Sequence, residues 1–268
     1  MPTVRGRLRE LREALASVIF PAPCELCGEL LNTANRIPIC RSCLGLLRPL
    51  DGPCCARCGR PFVSAVALDV QDLPLCHICR RSLYDFDFAR SFGAYTGPMA
   101  SAIMLLKYHQ VTSLAAWFAT GLRQVFDAHR EMYRADVVVP VPAHALRLRE
   151  RGYNQAELIA KALARSLGLP CRSYLLVRIR PRPDKLRLSL RERWRSVRGA
   201  YTIRQGARVD NLRVLLVDDV LTTGATLDAC SRALRKAGAS NVVALTVARA
   251  VSRREDPGLE PPGREPNG

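Results

Sequence analysis

The chain has 268 residues, a hydrophobic fraction of 48% and a formal net charge of +17, from 41 Lys and Arg against 24 Asp and Glu. That length fits one full domain plus a smaller module, and no apolar run approaches the ~20 residues that a membrane-spanning helix needs. Folding does not require so large an excess of cations; it implies acidic partners, whether nucleic acid, phosphorylated small molecules or an anionic surface.

Residues 1–22 read as an amphipathic helix, with Leu8, Leu11, Leu15, Val18 and Ile19 on one face and Arg5, Arg7, Arg9 and Arg12 between them. Such a helix packs on the body or on a partner, with a membrane surface as the lesser alternative. Its pattern is not that of a secretory signal, and Glu10 and Glu13 argue against a transit peptide, so a cytoplasmic location is expected. Residues 23–80 carry many Pro and Gly and nine of the eleven cysteines, eight of them in the pairs Cys24/Cys27, Cys40/Cys43, Cys55/Cys58 and Cys76/Cys79. Each C-x-x-C can hold one metal from a tight turn, and two turns complete a closed tetrahedral site of four thiolates. The spacings of twelve and seventeen residues between successive pairs suit zinc. Redox chemistry is the runner-up, and four pairs are too many for a thioredoxin-like site. Pairing in sequence order gives two zinc sites; interleaved pairing is the alternative. Cys54 and His77 are adjacent candidates for ligand places, and Cys171 and Cys230 read as buried thiols without chemistry.

From Phe86 the pattern changes to alternating strands and helices. Strands are expected at Phe88 to Tyr95, Asp136 to Val141, Tyr174 to Ile179, Arg213 to Val217 and Asn241 to Ala248. Helices are expected from Gly97-Pro98 to Lys107, Ser113 to Arg130, Asn154 to Leu167 and Ala225 to Ala237, with Gly168 and Gly238 as stops. This alternation defines an α/β fold over residues 81–251, a parallel sheet flanked by helices, preceded by the Cys-rich module. Ligands of such sheets sit at the carboxyl ends of the strands. Residues 252–268, rich in Pro, Gly and charge, read as a disordered tail.

The strongest local signal follows the strand Val214 to Val217. Asp218 and Asp219 stand at its end, then Thr222, Thr223, Gly224, Ala225 and Thr226 lead into a helix. Free amides and the positive dipole end at a helix start suit a dianionic phosphate. The three Thr add hydroxyl donors, and adjacent carboxylates suit a ribose diol or the outer sphere of Mg2+. A mere helix cap needs one such residue, not two acids, three Thr and a Gly.

This segment resembles the phosphoribosyl pyrophosphate signature of type I phosphoribosyltransferases. With Asp136-Val-Val-Val-Pro-Val-Pro142, Arg149-Glu-Arg-Gly-Tyr-Asn-Gln155 and the Cys pairs ahead of them, the chain is similar to the ComF family of competence proteins over about residues 20–250. The resemblance implies a double zinc ribbon before a phosphoribosyltransferase domain, with a link to uptake of single-stranded DNA in natural transformation. It implies that Asp218 and Asp219 hold the ribose hydroxyls, that Thr222 to Thr226 hold the 5-phosphate, and that Pro140, Val141 and Pro142 form a pyrophosphate loop. The span from Arg180 to Gly199 would be a mobile loop whose cations, Lys185, Arg187 and Arg193 among them, close over the leaving group; a solvated basic loop or a nucleic-acid contact is the alternative. Lys107-Tyr108 is a family-like motif too, with Lys107 either touching phosphate or solvated at a helix end.

Two functions follow. One is a phosphoribosyltransferase-like protein that binds phosphoribosyl pyrophosphate with Mg2+ and acts by positioning and charge stabilisation, with no residue standing out as a general base. The other is a non-catalytic single-stranded DNA-binding protein that uses the zinc ribbon and the basic loop, with Trp194 and Tyr201 as stacking candidates, and hands DNA to a helicase or to recombination proteins.

Overall fold

The computed structural model describes residues 22–31, 37–62, 74–180 and 190–251. The expected N-terminal helix, the C-terminal tail, Lys185 and Arg187 lie outside them.

The centre is a four-stranded, all-parallel sheet in the order β1-β6-β5-β2. Its strands are β1 (Phe88–Ala94), β2 (Val137–Pro140), β5 (Arg213–Leu221) and β6 (Asn241–Arg249). β5 shows why it is central. Its residues Val214, Leu215, Leu216 and Val217 are all at 0% exposure, and they alternate between the two faces: Leu215 and Val217 join one apolar cluster, Val214 and Leu216 the other. At roughly 2 kcal/mol for each such side chain, burial on both faces outweighs any single polar contact nearby.

Helices cover both faces. α3 (Gly97–Tyr108), α4 (Leu114–Ala128) and α6 (Gln155–Leu167) lie on one, and α8 (Ala225–Lys236) on the other. α3 starts with Pro98 in its first turn, where the missing N–H costs nothing. Asn154 caps α6 by accepting from the Ala156 amide at 3.2 Å, and Gly168 ends it at φ 69°. Pro140 is tolerated because β2 is an edge strand.

Three features depart from the sequence reading. The strand expected at Tyr174 to Ile179 is shorter, β3 (Leu176–Arg178), and does not join the main sheet. It pairs antiparallel with β4 (Tyr201–Ile203) as a separate two-stranded ribbon. Part of the span expected as a mobile loop is helical, α7 (Leu190–Val197), and packs on α8. A short helix, α5 (Ala145–Arg151), was not anticipated; none of its residues is buried.

Two further short helices, α1 (Arg41–Gly45) and α2 (His77–Arg80), belong to the Cys-rich module. That module covers the edge strand β1: Leu50 N donates to the Phe92 carbonyl at 2.6 Å, and Ala89 N to the Arg57 carbonyl at 2.8 Å. The second half of the module joins the core on the α8 side, with Cys55 and Cys58 at 0% exposure. The first half packs on the opposite side through Cys24, Leu31, Ile39, Cys43 and Leu47.

Candidate functional site

The cysteines gather in sequence order. Cys24, Cys27, Cys40 and Cys43 form one cluster, and Cys55, Cys58, Cys76 and Cys79 the other, with the Sγ atoms of each within 4.8 Å of one another. A zinc tetrathiolate with bonds of about 2.3 Å has sulfur–sulfur edges of about 3.8 Å; the Cys27–Cys40 and Cys58–Cys76 distances are both 3.7 Å. Backbone amides already donate to sulfur, Cys40 N to Cys24 Sγ and Cys76 N to Cys55 Sγ, each at 3.3 Å. The donor sets therefore fit two structural zinc ions, and sequential pairing replaces the interleaved alternative. Cys54 and His77 belong to neither cluster.

At the carboxyl ends of β2 and β5 lies a cleft of roughly 220 Å3. Asp218, Asp219, Thr222 and Thr226 line it, together with Val141 and Pro142. Pro140 ends its strand instead, and Val141 N is fixed on the Val217 carbonyl at 2.9 Å. Thr223, Gly224 and Ala225 shape the loop from behind. Thr223 is 7% exposed, and its Oγ1 accepts from the Ala225 amide at 3.3 Å, while the N-cap position itself is Gly224, which has no side chain to cap with. Gly224 precedes α8 with φ 80°, and a Cβ there would stand 2.5 Å from the Tyr84 ring, so only glycine fits. The Asp219 amide donates to Asp218 Oδ1 at 2.9 Å, holding the two acids in a fixed relation.

Tyr95, His144, Arg147 and Arg178 line the cleft without having been singled out from the sequence, and Arg151 enters it from the motif Arg149 to Gln155. Arg147 and Arg151 come four apart on α5, on one face, and the Arg151 guanidinium sits 4.9 Å from the Tyr108 ring. Arg178 is delivered by β3; its Nη1 donates to the Tyr201 hydroxyl at 3.1 Å, and its buried Nη2 has no hydrogen-bond partner among the described residues. The buried Gln155 carboxamide also lines the cleft with its Nε2 unpartnered among them. Tyr201 is buried and held by Arg178, which removes it as a stacking platform for a base. Arg193 is half-buried on α7, outside the cleft lining.

Lys107 is neither solvated nor at a distance from the acids: its Nζ lies 3.0 Å from Asp219 Oδ2. Burial alone would pull its ammonium below the ordinary lysine range, but the Asp219 carboxylate, helped by Asp218, reverses this and holds it above. A pKa raised on folding contributes stability below the unfolded value, lost only as pH rises through the folded one. Lys107→Met should therefore lower stability by about 2 kcal/mol, unchanged from pH 6 to 9 and shrinking only beyond the ordinary lysine range. Thermal melts across that pH series decide it; a penalty that fades between pH 7 and 9 would refute the pairing.

A parallel sheet with an acid pair and a Thr-rich loop at its carboxyl edge, carrying two tetracysteine sites, defines a phosphoribosyltransferase-like protein with a double zinc ribbon. The chain matches the double zinc ribbon domain family over residues 15–81 and the phosphoribosyl transferase domain family over residues 154–259. It is 30% identical over 225 residues to the DNA utilization protein YhgH of Salmonella typhimurium, covering 83% of this chain and 94% of that protein. It is 28% identical over 236 residues to competence protein F of Haemophilus influenzae, covering 86% and 98%, and 28% identical over 218 residues to competence protein ComFC of Bacillus subtilis, covering 79% and 84%. The chain belongs to the ComF family of competence proteins. Among solved structures, the glutamine phosphoribosylpyrophosphate amidotransferase of B. subtilis is similar over 50% of this chain and 26% of its own, at 26% identity and a TM-score of 0.35, too loose a likeness to bear on function. None of the described helices is long and apolar enough to cross a membrane.

Proposed function

We propose that the cleft binds phosphoribosyl pyrophosphate with Mg2+ in the service of DNA uptake. The observation that carries this is the convergence, in one cleft, of Asp218 and Asp219 with Thr222, Thr226 and the cations Lys107, Arg147, Arg151 and Arg178. Four cations against two acids favour a polyanion. The amides opening α8, with the hydroxyls of Thr222 and Thr226, suit the 5-phosphate. The acids suit the ribose diol, and Arg147 and Arg151 beside Val141 and Pro142 suit the pyrophosphate. Mg2+, held largely by the ligand's own phosphates, would screen the leaving group; the chain's part is to orient and neutralise. Isothermal titration of phosphoribosyl pyrophosphate with Mg2+ tests the reading, and absence of heat with the zinc-loaded wild type would end it.

A second surface supports a role with single-stranded DNA, in keeping with the relative named as a DNA utilization protein. A groove of roughly 860 Å3 between α7 and α8 is lined by Arg195, Arg198, Arg232, Lys236 and the half-buried Trp194, cations with an aromatic ring. Each phosphate neutralised contributes about 0.7 to the slope of log affinity against log salt for a single strand. The double variant Arg198→Ala/Lys236→Ala should lower that slope by about 1.4 for a labelled oligonucleotide, and an unchanged slope would move the DNA elsewhere.

A further inference from the structure

Tyr84 lies five residues beyond Cys79, at the exit of the second zinc site, and is 3% exposed. Its hydroxyl donates to the Thr223 carbonyl at 2.8 Å, and its ring fills the space that a side chain at position 224 would need. The ring stacks with Phe86 at 4.5 Å and with Trp194 at 5.9 Å. The segment's backbone is gripped from inside the knuckle: Arg57, between Cys55 and Cys58, donates Nη2 to the carbonyls of Tyr84 at 2.6 Å and Phe86 at 2.8 Å, and Nε to Phe86 at 3.1 Å. One residue on, the Asp85 amide donates to Asp228 Oδ1 in the first turn of α8 at 2.8 Å. A continuous chain of direct contacts thus joins the second tetracysteine site to the loop facing the cleft.

We infer that the second zinc ribbon positions the anion-binding loop. Tyr84 acts as a strut that fixes the Thr223–Gly224 turn, so that Thr222, Thr226 and the amides of α8 face the cleft, and metal at Cys55, Cys58, Cys76 and Cys79 holds the strut through Arg57. Tyr84 is a positioning residue, since Thr223 stands between it and any ligand. The consequence for ligand affinity rests on the phosphoribosyl pyrophosphate reading; the ordering of the loop does not.

The test uses the full zinc-loaded chain. Tyr84→Phe keeps the stack and removes only the hydroxyl. Losing a hydrogen bond of this kind corresponds to about a five- to tenfold change in an opening equilibrium. Hydrogen exchange at residues 222–226 should speed up by that factor while exchange in α3 and α4 and the zinc content stay unchanged; affinity for Mg2+–phosphoribosyl pyrophosphate should fall by a similar factor. Arg57→Lys, which keeps the charge and loses the fork, should act in the same direction. Releasing zinc from wild type with a chelator should loosen 222–226 before α3 and α4. If exchange in Tyr84→Phe matches wild type, or if the loop stays protected until the whole chain unfolds, the strut is refuted. A wild type that shows no binding heat, with a loop that still loosens in Tyr84→Phe, retires the ligand and leaves the strut standing.

Discussion

Replacing Asp218 and Asp219 together with Asn should weaken binding of Mg2+–phosphoribosyl pyrophosphate by at least a hundredfold, with a melting temperature lowered by only about 5 °C. The acids stand within β5, which runs to Leu221 and not only to Val217 as the sequence suggests, and they line the cleft. A hydrogen bond to a charged group contributes about 1.5–3 kcal/mol, so two of them to a sugar diol give about 3–6 kcal/mol, more than two decades in affinity. Stability should fall by about 2 kcal/mol, as in Lys107→Met, because an Asn at position 219 offers the Lys107 ammonium only a neutral oxygen, while the relief of repulsion between two adjacent acids offsets part of the loss. Titration calorimetry beside a thermal melt separates the effects. A double variant that binds as wild type does would place the sugar elsewhere.

The other large effect concerns the metal. Cys58→Ala and Cys27→Ala should each reduce the zinc content from two per chain to one, but their costs should differ at least twofold. Cys27 is exposed, whereas Cys58 is at 0% exposure. Arg249, also at 0% exposure, donates to the Cys58 carbonyl at 2.9 Å, and its Nε and Nη2 lack hydrogen-bond partners among the described residues. Neighbouring thiols, Cys55 first, push the Cys58 thiol up while Arg249 opposes them; a tetrathiolate of net charge −2 supplies the compensation that a buried guanidinium needs. Stranding such a charge costs about 3–5 kcal/mol, and at about 2–4 °C per kcal/mol this lowers the melting temperature by about 10 °C. Metal analysis with calorimetry checks both halves. Equal melting temperatures for the two variants would show that the second site is no more integral than the first.

What could be read from the sequence was what local chemistry dictates. β5 and α8 were legible because four apolar residues, two acids, a Thr-rich loop and a glycine follow one another without interruption. The cysteine pairs were legible for the same reason, and their sequential pairing follows once each cluster is closed in space. α5 was missed because it buries nothing and so has no apolar period to detect. α7 and β4 lie in and after an Arg-rich stretch that reads as a loop by charge, and their order comes from packing on α8. The ion pair of Lys107 with Asp219 and the bond from Tyr84 to Thr223 join residues more than a hundred positions apart. No local pattern encodes such contacts; the parallel topology makes them.

The pairing of β1 with β6 sets a schedule for biosynthesis. Phe88 aligns with Val243, so the first strand of the sheet finds its only sheet neighbour among the described residues in the last. A ribosome-bound chain can load its thiolates with metal early, yet the ladder that the ribbon covers stays half-built until residues 241–249 have been released. Long sequence separation slows such closure, and a chain cut short before residue 241 would leave β1 as an unpaired template for strands of other molecules. Early metal capture, by covering one side of β1, shields the waiting strand during that interval.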